Sequence, residues 1–136
     1  MNYILDACAL LAFLNDEEGA NIIEDLLDKS VTNDVSIYMS IVNLLEVYYG
    51  ELHVKGSAIA QIVLDTVNHY SIKIVNTISE QIFKEAARLK STYRMSLGDC
   101  IGIATAIEFL GQFVTSDHRE LDTVAANETN LIFWFR

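Results

Sequence analysis

Short apolar runs separated by longer stretches of helical character constrain this chain more than any other feature. The runs at 2–5, 35–39, 71–75, 112–115 and 130–134 read as strands. Between them lie helical segments at 7–14, 18–29, 41–53, 57–69, 79–93, 97–110 and near 118–124. Strands separated by helices indicate an α/β fold with a mainly parallel central sheet. The turn signals, Asn15-Asp16, Thr32-Asn33-Asp34 and Gly111, fall between the periodic segments. The chain contains no proline, and it shows no repeat, low-complexity tract or linker. Residues 1–136 therefore read as a single domain, a length that buries about two-thirds of the unfolded surface.

Composition narrows the function classes. Half the residues (51%) are hydrophobic and 21% are charged, the balance of a globular chain and not a disordered one. No apolar run reaches the ~18 residues needed to span a bilayer. The start, MNYILDACALLAFLNDEE, has no basic region and carries Asp6 too early for a signal peptide. Two cysteines, Cys8 and Cys100, make no disulfide framework, and His53, His69 and His118 make no metal-ligand spacing. The cytoplasm is the expected location. Nine Lys and Arg stand against 19 Asp and Glu, a formal charge of −10. That balance opposes general adhesion to nucleic acid or to an anionic membrane. It suits a cation-binding acidic site or a basic partner.

The parallel topology gathers particular carboxylates. Ligands collect at the carboxyl ends of parallel strands. Asp6 ends the strand NYIL, and Asp117 closely follows the strand QFVT. The helix beginning near 97 feeds the strand at 112–115 through Gly111, so it runs antiparallel to that strand. Asp99, in its first turn, is thereby brought to the same edge. This helix is apolar nearly all round and should be centrally buried. Gly102 and Ala106 keep the face below Asp99 small, room that a ligand could use. Glu46 lies in the helix that follows the strand at 35–39, about 9 Å along its axis at 1.5 Å per residue.

Each acid also has a purely structural explanation. Ser96 with Asp99, and Asp117 with Glu120, are spaced as capping boxes, and Asp6 can cap ACALLAFL. Asn43, Glu46, Gly50 and His53 recur at helical spacing, as on any solvated face. Convergence is what favours chemistry. Two carboxylates about 5 Å apart repel by about 3 kcal/mol at an effective dielectric of 20. Four would gather only with protonation or a cation. All-oxygen ligands suit Mg²⁺ or Mn²⁺ better than zinc, and such an ion supports phosphodiester hydrolysis.

The segments YILDACALLAFL, SIVNLLEVYYG, RLKSTYRMSLGDCIGIATA and FVTSDHREL carry a resemblance. In content, order and spacing they resemble the PIN-domain nucleases, and among these the VapC-type toxins of toxin–antitoxin pairs. The resemblance covers almost the full length and implies a three-layer α/β/α sandwich around a parallel sheet. It implies a four-acid pocket, here Asp6, Glu46, Asp99 and Asp117, that binds Mg²⁺ or Mn²⁺ and cuts single-stranded or looped RNA. It also implies inhibition by a small antitoxin, and homodimerisation. Thr115 and Ser116 match the polar residues before the last acid.

Two departures stand out. Cys8 replaces the usual Ser, Thr or Asn, a weaker hydrogen-bonding group. Arg119 replaces a frequent further Asp, so one ion is expected in place of two, with Asp122 a poor substitute. Lys84, Arg88, Lys90 and Arg94, with His118 and Arg119 opposite, offer a phosphate-binding lip. The same cations on a solvated helix, with a Glu80–Lys84 pair, are an equally open reading. Arg94 and Arg119, with Thr115 and Ser116, are taken as substrate contacts. Cys8 and Cys100 each neighbour a proposed ligand, which would bring them close together. The closing NLIFWF reads as a buried strand or a subunit interface. Two other functions remain: a catalytically weak binding module whose acidic pocket receives a basic peptide, and a phospho-acceptor receiver domain. The latter lacks its acid pair near Asp6 and its Lys after Thr115.

Overall fold

The computed structural model describes residues 1–136. Five strands and seven helices alternate along it: β1 (Asn2–Leu5), α1 (Ala7–Leu14), α2 (Ala20–Val31), β2 (Ser36–Ser40), α3 (Ile41–Lys55), α4 (Ser57–His69), β3 (Lys73–Val75), α5 (Glu80–Thr92), α6 (Leu97–Glu108), β4 (Gln112–Thr115), α7 (His118–Asn127) and β5 (Ile132–Trp134). The sheet order is β3-β2-β1-β4-β5, and every pairing is parallel.

Alternation within the strands splits the core into two layers. Leu5, Ile37, Met39 and Val114 face one side, where they pack with α1, α2, α3 and α4 through Leu10, Ile23, Leu27, Val47 and Val63. Ile4 and Phe113 face the other side, against α5, α6 and α7 through Ile82, Leu89, Ile103 and Leu121. The result is the expected α/β/α sandwich. Each fully buried Leu or Ile contributes about 1.5–3 kcal/mol. Sequence pattern explains the helix faces: in α2, Ile23, Leu26 and Leu27 are buried while Glu24, Asp25 and Asp28 face water. That is the 3–4 spacing of an amphipathic helix.

Helix α6 differs, with every residue from Gly98 to Ala106 buried. It lies between α5 and the sheet, touching β1, β4 and α3. Its small residues serve that packing, which corrects the expectation of ligand space below Asp99. A β-carbon at Gly102 would collide with the Phe113 ring and with Asn43 Oδ1. Gly102 therefore permits close helix–sheet approach and leaves no opening. The last strand is shorter than expected and half-buried at the sheet edge, with Phe135 beyond it in the core.

The chain leaves β1 toward β2 and β3 on one side, and later enters β4 and β5 on the other. The topological switch point therefore falls between β1 and β4, the place where open α/β sheets bind ligands.

Candidate active site

Asp6 is the first residue beyond β1, where Leu5 pairs with Val114 of β4. Its backbone N–H donates to Val114 O at 3.0 Å, which carries the β1–β4 ladder to the switch point. Its side chain caps α1: Oδ1 accepts from Ala7 N at 2.7 Å. Oδ2 accepts from Thr115 Oγ1 at 2.7 Å and from Cys8 Sγ at 3.2 Å. A carboxylate offers about four acceptor positions, so one stays open. Thr115 also accepts from Asp117 N at 3.1 Å, so one buried hydroxyl ties the first acid to the last. Removing it by Thr115→Val leaves Asp117 N–H and an Asp6 lone pair without that partner. A loss of about 1–3 kcal/mol is expected, read as a lower Tm in thermal denaturation, with a variant as stable as the parent contradicting it.

Two more helix N-termini aim at the same place. In α6, Ser96 Oγ accepts from Asp99 N at 3.1 Å, half of a capping box. The second half is not closed by Asp99. Ser96 N–H instead donates to a carboxylate oxygen of Glu120, so the Asp99 carboxylate is not needed at its own helix end. In α7, Asp117 Oδ1 accepts from Glu120 N at 3.2 Å, while Glu120 turns toward Ser96. Both boxes are half-made, and the spare carboxylates face the space between the helices. The positive ends of three helix dipoles (α1, α6 and α7) favour negative charge there.

Glu46 arrives from α3. A β-carbon at Gly98 would collide with Glu46 Oε1, so Gly98 makes the room through which Glu46 reaches the cleft. Asn43, one turn earlier, is buried and donates to Gly98 O at 3.4 Å. The face shared by Asn43 and Glu46 is thus not simply solvated, although Glu46 itself is exposed.

These residues surround one open cleft of about 460 Å³, lined by Asp6, Cys8, Glu46, Asp99, Asp117 and Glu120 with Ser96 and Ser116 at its wall. One carboxylate oxygen each from Asp99, Asp117 and Glu120 lies within 4.8 Å of the others. None of the five acids has a basic side chain at ion-pair distance. Burial, and then the neighbouring Asp6 and Glu120, push the Asp99 carboxyl up to about 8. Burial raises Asp6 despite its hydrogen bonds to Thr115, Cys8 and Ala7. Burial and Asp6 raise Glu46 as well. Burial and Asp6 push the Cys8 thiol up to about 12, so it is a neutral donor at physiological pH.

Other expected residues fall elsewhere. The proposed basic lip is largely neutralised: Lys84 pairs with Glu80 at 2.9 Å, and Arg88 with Glu85 and Glu128 at 2.9 and 2.8 Å. Lys90 donates to Met95 O at 2.6 Å. Arg94 and Arg119 remain without a carboxylate partner and line a second cleft with Asp117 and Glu120. His118 stacks on Trp134 at 3.8 Å, and its ring nitrogens meet Asp122 and Arg136 O at 2.9 Å. Asp122 is therefore engaged outside the cleft. The two thiols lie on opposite faces of the sheet, which corrects their expected proximity. Glu120 was legible in the sequence only as a capping partner. Its place in the cleft depends on α6 and α7 starting side by side.

The donor set fits a small, hard cation. Five carboxylates and no balancing base surround the cleft, and oxygen ligands of this type are those of Mg²⁺ and Mn²⁺.

Fold and cleft together define a doubly wound α/β domain with an acidic pocket at its switch point. The family model of the PIN domain matches residues 3–127, so the chain belongs to the PIN-domain family. A comparison with curated proteins finds no match. Solved structures share the fold. VapBC2 from Rickettsia felis, bound to a promoter DNA fragment, matches with a TM-score of 0.74 and 18% identity, over 98% of both chains. A toxin–antitoxin complex from Klebsiella pneumoniae matches at 0.69 and 17% identity, again over 98% of both. VapBC-1 from nontypeable Haemophilus influenzae matches at 0.70 and 12% identity, over 99% of this chain and 98% of that one. No helix is long and apolar enough to cross a membrane.

Proposed function

We propose that the protein is an Mg²⁺- or Mn²⁺-dependent endoribonuclease that cuts single-stranded or looped RNA, and the toxin of a toxin–antitoxin pair. The observation that carries this reading is the meeting of Asp6, Glu46, Asp99 and Asp117 around one cleft with no basic side chain to balance them. Those four acids would hold one ion, which when bound supplies charge stabilisation at phosphorus and a more acidic water. The rest falls to the chain itself. Thr115 and Cys8 orient Asp6 by hydrogen bonds to Oδ2. The three helix N-termini hold the acids on rigid elements, which keeps the constellation in place without reorganisation. Arg94 and Arg119, in the adjoining cleft, meet the phosphates of a strand laid across it. This local pair reconciles an RNA substrate with a net charge of −10.

A protein partner and a second copy of the chain are part of the same proposal. The structural neighbours include toxin–antitoxin complexes. Two apolar stretches also lack cover within the fold: Leu45, Tyr49 and Leu52 on α3, and Ile78, Phe83 and Leu97 beside α5 and α6, the last three 50%, 67% and 60% exposed.

The test is an RNA cleavage assay on purified protein whose mass in solution is read by light scattering. Cleavage of single-stranded RNA with Mn²⁺ or Mg²⁺, its loss with chelator, and a mass near that of two chains are expected. Intact RNA at saturating ion contradicts the nuclease reading. Tight binding of a basic peptide without ion uptake would favour the binding-module function in its place.

A further inference from the structure

We propose that Glu120 is a positioning residue for the ion-binding pocket: it takes the Ser96 N–H that Asp99 would otherwise cap, and so keeps the Asp99 carboxylate directed into the cleft. This rests on the cation-dependent reading above and deepens it.

The argument starts from the unpaired N–H groups of a helix start. A Ser-x-x-acid sequence normally closes on itself, the Ser side chain serving the N–H at the third helical position and the acid reaching back to the Ser N–H. In α6 only the first bond exists, from Asp99 N to Ser96 Oγ at 3.1 Å. The second is made by Glu120, from a different helix and across twenty-four residues of sequence. Glu120 is free for this because its own box is also left open. Asp117 N–H, its natural target, is satisfied by Thr115 Oγ1 at 3.1 Å. Asp117 Oδ1 meanwhile accepts from Glu120 N at 3.2 Å, which fixes the Glu120 backbone. The chain of bonds Thr115–Asp117–Glu120–Ser96–Asp99 therefore transfers capping duty from one helix to the next. At its end is a buried carboxylate that meets the Ser96 side chain but not the Ser96 N–H, and that lines the cleft. Without Glu120, the unpaired Ser96 N–H would recruit Asp99, and the carboxylate would rotate back onto its own helix end.

The experiment compares Glu120→Ala with Glu120→Gln in the full chain. Both remove the same charge, so the ratio of their affinities reports what the side-chain oxygen supplies, and the Ser96 amide signal described below separates its bond to Ser96 N–H from direct contact with the ion. In calorimetric titration with Mn²⁺, Glu120→Ala should weaken binding about 10- to 100-fold, the usual effect of losing a group that orients a ligand. Gln should recover about 3- to 10-fold of that, the equivalent of one hydrogen bond. Equal affinities for the two variants, or parental affinity in Glu120→Ala, would overturn the proposal.

A second arm does not depend on the ion. In ¹H–¹⁵N spectra of metal-free protein, the Ser96 amide should respond only weakly to Asp99→Asn in the parent chain. It should become sensitive to the same change once Glu120 is Ala. If the parent takes up no Mn²⁺, the cation reading fails while this arm still decides the role of Glu120. A Ser96 amide that responds to Asp99→Asn equally in both backgrounds, strongly or not at all, overturns that role.

Discussion

Replacing Asp99 with Asn is expected to remove divalent-ion uptake and RNA cleavage while making the metal-free protein more stable. Function and folding part here because of where the carboxylate sits. Asp99 is buried in the first turn of α6, and burial, Asp6 and Glu120 all raise its carboxyl, to about 8. In the absence of an ion its negative form is therefore unfavourable. An amide of the same shape removes that repulsion, and the Ser96 Oγ bond to the residue-99 backbone is untouched. A gain on the order of 1–2 kcal/mol at pH 8 is expected from the lost like-charge repulsion, seen as a Tm several degrees higher. Activity should fall by at least about 10²–10³-fold, the scale for removing one preorganised charge-stabilising group. An inactive Asp99→Asn that is also less stable than its parent would mean that Asp99 is a structural cap and not a strained ligand.

The same electrostatics fix a pH dependence. An acid whose folded-state pKa is raised keeps its proton in the native state after the unfolded chain has lost it. Between the ordinary Asp value of about 3.9 and the raised value, the native state binds more protons, so stability falls with rising pH. For Asp99 that window ends at about 8, and Asp6, also raised, acts in the same direction. His118, raised chiefly by Arg136 O and Asp122, likewise loses its contribution as pH climbs. Metal-free protein should therefore lose up to about 1.4 kcal/mol per pH unit for each of the two buried carboxyls, Asp6 and Asp99, across the window. A divalent cation, which binds the ionised form, reverses the trend. Mn²⁺ or Mg²⁺ should stabilise the fold far more at pH 8 than at pH 5.5, by about 2.7 kcal/mol at pH 8 when present at a hundred times its Kd. Thermal denaturation with and without ion at the two pH values reads this directly. An ion effect that is equal at both would show that no strained acid is involved.

All five strands and seven helices were legible from periodicity, because each is either amphipathic or wholly apolar and bounded by turn residues. The ends shifted where left-handed backbone intervened. Ser71, Leu110 and Asn130 adopt φ of 52°, 53° and 56°, which delays β3, ends α6 early and shortens β5. The edge occupied by Asp6, Asp99 and Asp117 followed from parallel topology alone, since strand ends and the starts of returning helices share it. Three features were beyond such reasoning. Glu120 reaches the cleft only because α6 and α7 begin side by side, and its spacing from Asp117 already had a sufficient local explanation. The cations of α5 are neutralised in part by Glu128, forty residues from Arg88, which no local pattern contains. Gly102 is small for the sake of the sheet below it, a fact visible only once Phe113 is in place.

Everything functional depends on four carboxylates from separate segments, Asp6, Glu46, Asp99 and Asp117, gripping one ion. Crystals grown with Mn²⁺ test this most directly, since the ion's anomalous signal locates it without reference to activity. One peak is expected in the cleft lined by Asp6, Glu46, Asp99 and Asp117. A saturated crystal with no peak in the cleft, or with its only peak elsewhere on this acidic surface, would contradict the account.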